Sequence, residues 1–382
     1  MTAERAEDTL PSILSESRTR AVFGPGKLAE LGSIAKSEGA SRVLLVTDPG
    51  IVRAGHVERA VRSLRDSALD VTVFDGVAEN PTTEHVTRGV EAARKAKIDF
   101  LVGLGGGSSM DCAKGVNFIL TNGGQMADYW GRNKATKPML PMIAVPTTAG
   151  TGSEAQSFAL ITDPVTQQKM ACGDVKAACR VALLDPELTA TQPREVAAAT
   201  AIDAVAHAVE TAGTLARNDV SLEMTREAWK RLDAAFEPAM RDVHDAGARA
   251  DMLLGAHLGG AAIEQSMLGA AHSCANPLTA RHNLVHGVAV GVMLPHVVRF
   301  NAGSGHNPYS AIADDGEVLA KRIEAMLRTA GLPTSLAQCG VPEDHLAALA
   351  AEAAKQWTAQ FNPRKVTATE LHAIYRSAHT QS

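Results

Sequence analysis

Up to Pro193 the chain alternates short apolar runs, rich in β-branched residues, with longer runs of helical spacing. "RVLLVTD" (Arg42 to Asp48) is followed by "HVERAVRSLRDS", then "DVTVFDGV", then "TEHVTRGVEAARKA", then "FLVGLGGG", then a helix from Ser108, then "MIAVPTT". Strands joined by connections of helical length cannot pair as tight hairpins, so they predict a parallel sheet with both faces covered. The segment from "SFALITD" to "RVALLDPEL" supplies further strand candidates. Beyond Pro193 the pattern changes. "REVAAATAIDAVAHAVETAG" is alanine-rich with helical periodicity, and helical runs continue to the end, interrupted by "NPL", "GSGHNP" and "GLPTS". A boundary near Gln192 follows, with an α/β domain over 1–192 and an all-helical domain over 193–382.

A length of 382 residues suits two such domains. A net charge of −5 offers no basic face for nucleic acid or anionic lipid. No apolar run approaches the ~18 residues of a membrane span. The opening "MTAERAEDTLPSILSESRTR" carries both charge signs and no apolar core, so it does not read as a secretory leader. Five cysteines without CxxC spacing read as reduced thiols, with Cys172 and Cys179 the nearest to a redox pair, and a cytoplasmic location is expected. Of 13 histidines only His56 and His85 precede the boundary. Such an asymmetry points to imidazole chemistry in the helical half.

Three stretches of the first half could hold a phosphate-bearing ligand. "GLGGGSSMD" (Gly103 to Asp111) follows a strand and opens a helix. Its glycines allow close backbone approach, and a helix start presents unpaired N–H groups to an anion such as a pyrophosphate. Ser108 and Ser109 can cap that helix or donate to phosphate oxygens. A tight glycine turn with a serine cap would read the same way. The loop does not follow the first strand expected here, as a Rossmann fingerprint would. That strand ends instead at Asp48. A carboxylate there can accept from an adenosine ribose and would repel a 2′-phosphate, so for a dinucleotide at this site it favours NAD over NADP. Asp48 is equally compatible with a plain turn before Pro49. In "VPTTAGTGSE" the hydroxyls of Thr147, Thr148 and Thr151 can reach a phosphate or ribose.

In the second half, "AIDAVAHAVE" sets Asp203 and His207 four residues apart, on one helix face. A carboxylate in an alanine–valine run is costly to bury without a partner. An Asp–His hydrogen bond or a metal would supply one. Further on, "AHSCANPLTARHNLVHG" carries His272 and His286, with "NPL" expected to break the helix between them and let its two pieces converge. One aspartate and three histidines form a mixed O/N set suited to Fe(II), Zn(II) or a similar divalent ion, with room for a substrate if coordination expands.

Taken in order, "GGGSSMD", "PTTAGTGSE", "AIDAVAHAVE" and the His272–His286 segment closely resemble the iron-containing (group III) alcohol dehydrogenase family. "FGPGKLAELG" and "NPR" fit the same pattern, and the resemblance runs from Val22 to Ala378. It implies a Rossmann-like NAD-binding α/β domain and a helical metal-binding domain of dehydroquinate synthase-like architecture, with the active site in the cleft between them. It implies Asp203, His207, His272 and His286 as ligands of one ion, Fe(II) before Zn(II). It implies NAD contacts at Asp48, Asn80, Gly106, Gly107, Ser108, Ser109, Thr147, Thr148, Thr151, Lys169 and Leu188. A small alcohol, aldehyde or ketone would be the substrate, and a homo-oligomer, in the family a dimer, the assembly.

One position departs from the family pattern. The family often carries a histidine four residues after the ligand at His272, where this chain has Asn276. Asn276 cannot titrate, so it is expected to line the pocket, and the alcohol proton would pass instead to His282, a few residues on, or through water and the nicotinamide ribose. Two other functions share parts of this grammar. A dehydroquinate-synthase-like cyclising lyase would need several basic residues near the metal, and the segment offers only Arg281. A nucleotide-binding sensor would not need the four-ligand set.

Overall fold

The computed structural model describes residues 10–166, 168–303, 305 and 307–380. The first nine residues of the opening stretch, and Ser304 and His306 of "GSGHNP", lie outside the described residues. Two compact units separate: one holds the chain up to Thr148 together with Ser153–Thr191, the other Ala149–Gly152 and everything from Gln192 on.

In the first unit the order is β1 (Arg20–Phe23), α1 (Leu31–Ser37), β2 (Arg42–Val46), α2 (Pro49–Arg53), α3 (His56–Asp66), β3 (Asp70–Phe74), α4 (Thr83–Ala96), β4 (Phe100–Gly105), α5 (Gly107–Asn122), β5 (Gly131–Arg132), β6 (Met142–Pro146), β7 (Phe158–Thr162), β8 (Lys169–Gly173) and β9 (Val181–Leu184). Six strands form one sheet in the order β1-β9-β6-β4-β2-β3. Every pairing in it is parallel. Side chains divide by the period of two. Leu44, Val46, Leu101 and Met142 meet Val86, Val90, Met110 and Val116 of α4 and α5 on one face. Val43, Leu45, Val102 and Leu104 meet Leu31, Ile34, Val57 and Leu64 of α1 and α3 on the other. Both faces are therefore covered, as expected of strands that read as continuous apolar runs.

Two features of this unit differ from the sequence reading. Among the described residues the first strand is β1, not Arg42–Val46; it is a four-residue edge strand paired there only with β9, too short to show a period. The later strands do not all join the parallel sheet. β7 and β8 pair antiparallel and, with β5, make a separate three-stranded sheet. Asp163 starts the connecting turn by accepting from the Val165 and Thr166 amides, and a link that short can only return the chain antiparallel.

The second unit is helical among its described residues: α6 (Arg194–Gly213), α7 (Asp219–Arg241), α8 (Ala246–Gln265), α9 (Ala270–His282), α10 (His286–Ala302), α11 (Gly316–Ala330), α12 (Leu346–Ala353) and α13 (Ala368–His379). The expected break at "NPL" is not there. Pro277 lies inside α9, which runs on to His282 and ends at Asn283, held in the left-handed region at φ 53°. Pro277 removes one helical N–H, but neighbours hold α9 in place: Tyr375 donates to the Cys274 carbonyl at 2.6 Å, and the Ser273 hydroxyl meets Thr358 at 2.7 Å. The turn that separates His272 from His286 is thus the Asn283 cap.

No helix among the described residues is long and apolar enough to cross a membrane. All five cysteines are free, and burial pushes the Cys172 and Cys179 thiols up to about 12 and about 11.

His296 of α10 gives a pH-dependent stability. Its buried ring lies 2.8 Å from the Ser377 hydroxyl. Burial, then Arg299, pull its pKa from the ordinary 6.5 down to about 4, against Glu324. The unfolded chain takes up this proton first, so the stability is full above about pH 6.5 and is lost as pH falls through 4. The linked loss is ~3 kcal/mol. Urea midpoints at pH 7 and 4.5 should therefore differ more in the native protein than in His296→Gln. Equal differences would remove His296 from the acid response.

Candidate nucleotide loops and metal centre

β2 and β4 are neighbours, but β3 leaves β2 on its far side, so the strand order reverses between β2 and β4. Ligands of open α/β sheets bind at the carboxyl ends of strands at such a reversal. Here those ends bring together Asp48 and the glycine loop. Asp48 caps α2, accepting from the Gly50 and Ile51 amides at 2.8 and 3.2 Å. Its second oxygen accepts from the Ser109 hydroxyl at 3.2 Å. Gly105 has φ 146°, and a side chain there would collide with Ser109 at 2.6 Å, so only glycine fits.

The serines do not cap the next helix. Gly106 is the N-cap of α5 with no side-chain bond, and Gly107 begins the helix. The Ser109 amide donates to the Gly106 carbonyl at 3.1 Å, which leaves the Gly107 and Ser108 amides at the start of α5 available to an anion. Ser108 instead accepts from the Asn80 amide at 3.3 Å, and Lys169 donates to the Asn80 side chain at 3.3 Å. Three residues far apart in sequence are thereby linked beside the loop, with Asn80 itself at φ 52°.

Thr147 is buried and donates its amide to the Gly105 carbonyl at 3.0 Å. The Thr148 hydroxyl is buried without a hydrogen-bond partner, and its side chain lies against Gly106. Thr151 belongs to the short segment grouped with the helical unit, where Gly150 abuts Thr200 and Gly152 abuts Gly260. Leu188 is fully buried in the apolar layer with Leu104 and Leu183, so its side chain serves the core.

In the helical unit, α6 places Asp203 and His207 on one buried face. His207 Nε2 is 3.6 Å and His272 Nε2, from α9, 3.4 Å from the same oxygen, Asp203 Oδ1. The three donor atoms lie within 4.8 Å of one another. The rings of His207 and His272 stack at 5.1 Å. His286, the first residue of α10, has its ring 5.4 Å from that of His272, but it stands outside the tight three-residue group. Asp203 Oδ1 and His272 Nε2 are both buried and neither has a hydrogen-bond partner. Buried polar atoms are rarely left so, and a divalent cation between them would satisfy both. The oxygen–nitrogen donor set suits Fe(II) or Zn(II).

The electrostatics are those of a charge-coupled cluster. Burial would raise the Asp203 carboxyl, but His207, His272 and His286 outweigh it and hold it well below the carboxylate range. For His272 burial would lower the ring, yet Glu210 and Asp203 hold it up at about 9. His207 is lowered, by burial first, with His272 adding to it against the pull of Asp203.

Glu210 went unassigned in the sequence. It sits one turn past His207 on α6, buried, with Oε2 2.5 Å from His272 Nδ1 and Oε1 accepting from the Ala271 amide at 2.7 Å. Its spacing of seven from Asp203 placed it on the same helix face, which was the available signal. Asn276, one turn past His272, donates to the Gln356 side chain at 3.1 Å. His282 ends α9, and its Nε2 lies 3.4 Å from His345 Nδ1. Its pKa is lowered by burial, then by His345 and Arg281.

Comparison with known proteins accords with this arrangement. The family model described as iron-containing alcohol dehydrogenase matches residues 18–186, and that of the Fe-containing alcohol dehydrogenase family, C-terminal, matches 197–379. Alcohol dehydrogenase 4 of Schizosaccharomyces pombe is 35% identical over 94% of this chain and 87% of its own length. NAD-dependent methanol dehydrogenase of Bacillus methanolicus is 32% identical over 94% of this chain and 97% of its own. The crystal structure of a 1,3-propanediol oxidoreductase superposes with a TM-score of 0.90 at 31% identity, covering 95% of this chain and 98% of that one. With glycine loop, aspartate–histidine cluster and both family models following one another along it, this chain belongs to the iron-containing alcohol dehydrogenase family.

Proposed function

We propose that the protein interconverts a small alcohol and its aldehyde or ketone, passing hydride to and from NAD(H), with one divalent ion held by Asp203, His207, His272 and His286. The observation that carries this reading is the buried, unpartnered pair of Asp203 Oδ1 and His272 Nε2 at 3.4 Å. Relatives named for methanol and 1,3-propanediol support a short, unbranched substrate.

A divalent ion, when bound, supplies a Lewis acid that stabilises negative charge on the substrate oxygen. The chain's own groups do the rest. The uncapped first turn of α5 binds the pyrophosphate through its amides, and Ser108, Asn80, Lys169 and Thr148 orient the nucleotide. Asp48 repels a 2′-phosphate. Asn276, fixed by Gln356, orients substrate or a water without titrating. His282 takes the alcohol proton toward solvent through the exposed ring of His345. Fe(II) is the proposed native ion with Zn(II) second, a homodimer the assembly, and the cytoplasm the location, in keeping with five free thiols.

The test is purified protein loaded with Fe(II) or Zn(II), offered a panel of short primary alcohols, diols and aldehydes with NAD(H) or NADP(H), and followed by NADH absorbance. Turnover with NAD(H) that a chelator abolishes is the expected result. Absence of turnover across the panel overturns the reaction; equal use of NADP(H) overturns the role of Asp48.

A further inference from the structure

We propose that Glu210 is a positioning residue of the metal centre, which sets the tautomer and angle of His272 while anchoring the amino-terminal end of α9. The proposal rests on the ligand set given above. The two ends of the Glu210 carboxylate do different jobs. Oε1 accepts from the Ala271 amide at 2.7 Å, and next to it Asn362 accepts from the Ala270 amide at 3.3 Å. Gly269, the N-cap of α9, makes no side-chain cap bond, so two first-turn amides of α9 are satisfied by residues from elsewhere in the unit. Gly269 also leaves the carboxylate its space, since a side chain there would come within 3.1 Å of Glu210 Oε1 and of Asn362.

Oε2 faces His272 Nδ1 at 2.5 Å. A carboxylate only accepts, so in a neutral ring Nδ1 carries the proton and the lone pair is on Nε2. Nε2 is the atom turned to Asp203 Oδ1. A carboxylate behind a histidine, with an ion in front, raises the basicity of the ligand nitrogen and fixes the ring plane. Asp203, His207 and Glu210 recur at four and three residues on α6 and lie on one face, so one helix supplies two donors and the support for a third.

Glu210→Gln tests this without changing shape. The Ala271 amide is a fixed donor, so the glutamine oxygen turns to it and the side-chain NH2 turns to His272. That NH2 donates to Nδ1 and drives the ring proton onto Nε2, where the lone pair is needed. Affinity for Zn(II) is read by chelator competition, and the Co(II)-loaded protein by its visible absorption, at a temperature where circular dichroism shows every variant folded. Affinity is expected to fall ~10- to 100-fold, with a changed Co(II) spectrum, while the unfolding midpoint of the metal-free protein stays near that of the native chain. Native affinity and spectrum in Glu210→Gln would overturn the proposal and leave Glu210 as an anchor of α9 only. His272→Ala serves as reference: if it also keeps native affinity, the ligand set itself is wrong; if it alone loses the ion, only the role of Glu210 fails.

Discussion

His272→Ala is expected to purify without its ion and to lose about 10³-fold in kcat/KM, since Lewis-acid stabilisation is worth several kcal/mol and each ~1.4 kcal/mol is tenfold. The substitution removes the side chain that ties α9 to α6. His272 Nε2 faces Asp203 at 3.4 Å and Nδ1 faces Glu210 at 2.5 Å, so its loss strands two buried carboxylates. Breaking a buried, charge-coupled contact from one side costs ~3 kcal/mol or more. Lower stability is therefore expected beside lost catalysis, and the two must be separated. Asp203→Asn does so. It keeps the shape and removes the charge that three histidines hold in its ionised form. It should lose the ion and activity while its unfolding midpoint moves less than that of His272→Ala. Elemental analysis and initial rates of NADH formation check both variants. Undiminished metal in both would mean that the ion sits elsewhere.

The α/β half was legible because its strands are unusual in a way that composition preserves. β4 and β6 are wholly buried, so neither face needed polar residues and each survives as an unbroken apolar run. β1 was invisible for the opposite reason: four residues at an edge, with Arg20 exposed and only Phe23 buried, carry no period. The antiparallel β7–β8 pair was read as strand but not as a second sheet, because pairing partners are not written locally. Asp203 and His207 could be found from spacing alone, since a helix of fixed pitch converts sequence distance to a shared face. Glu210 offered the same signal, yet its partners, Ala271 and His272, lie about sixty residues on, and a helix capped by a distant side chain leaves no local motif. Pro277 misled through a sound rule. Proline costs an interior helical bond, but Tyr375, Thr358 and Gln356 grip the residues around it, and none of these is adjacent in sequence. In the candidate nucleotide loops, Asn80 and Lys169 have no signature of their own and are joined to Ser108 only by the fold.

Gly287→Ala should unfit the helical unit for its ion without touching a proposed ligand. Gly287 follows His286 at the start of α10, and a Cβ built there would lie 1.9 Å from the Ala199 carbonyl oxygen and 3.3 Å from Asp203 Cβ. The obstacle at 1.9 Å is backbone inside α6, so no rotamer change relieves it. α10 must move away from α6 by more than an ångström before an ordinary contact is restored. Overpacking of this kind costs ~1–3 kcal/mol and occasionally more, which for a unit of this size lowers the unfolding midpoint by roughly 3–10 °C. The functional cost should be larger. The displacement carries His286 away from Asp203, and a site needs its groups within about half an ångström of their working positions; a misplacement near 1 Å costs on the order of 100-fold in rate. Gly291→Ala, one turn on, is the internal comparison. Its Cβ meets only side-chain carbons of Ile202 and Leu327, at 2.9 and 3.0 Å, and these can shift. Metal content, unfolding midpoint and kcat/KM of the two variants should therefore separate, with Gly287→Ala depleted of ion and Gly291→Ala close to native. A Gly287→Ala protein with native midpoint and full metal content would show that the approach of α10 to α6 does not set the geometry of the centre.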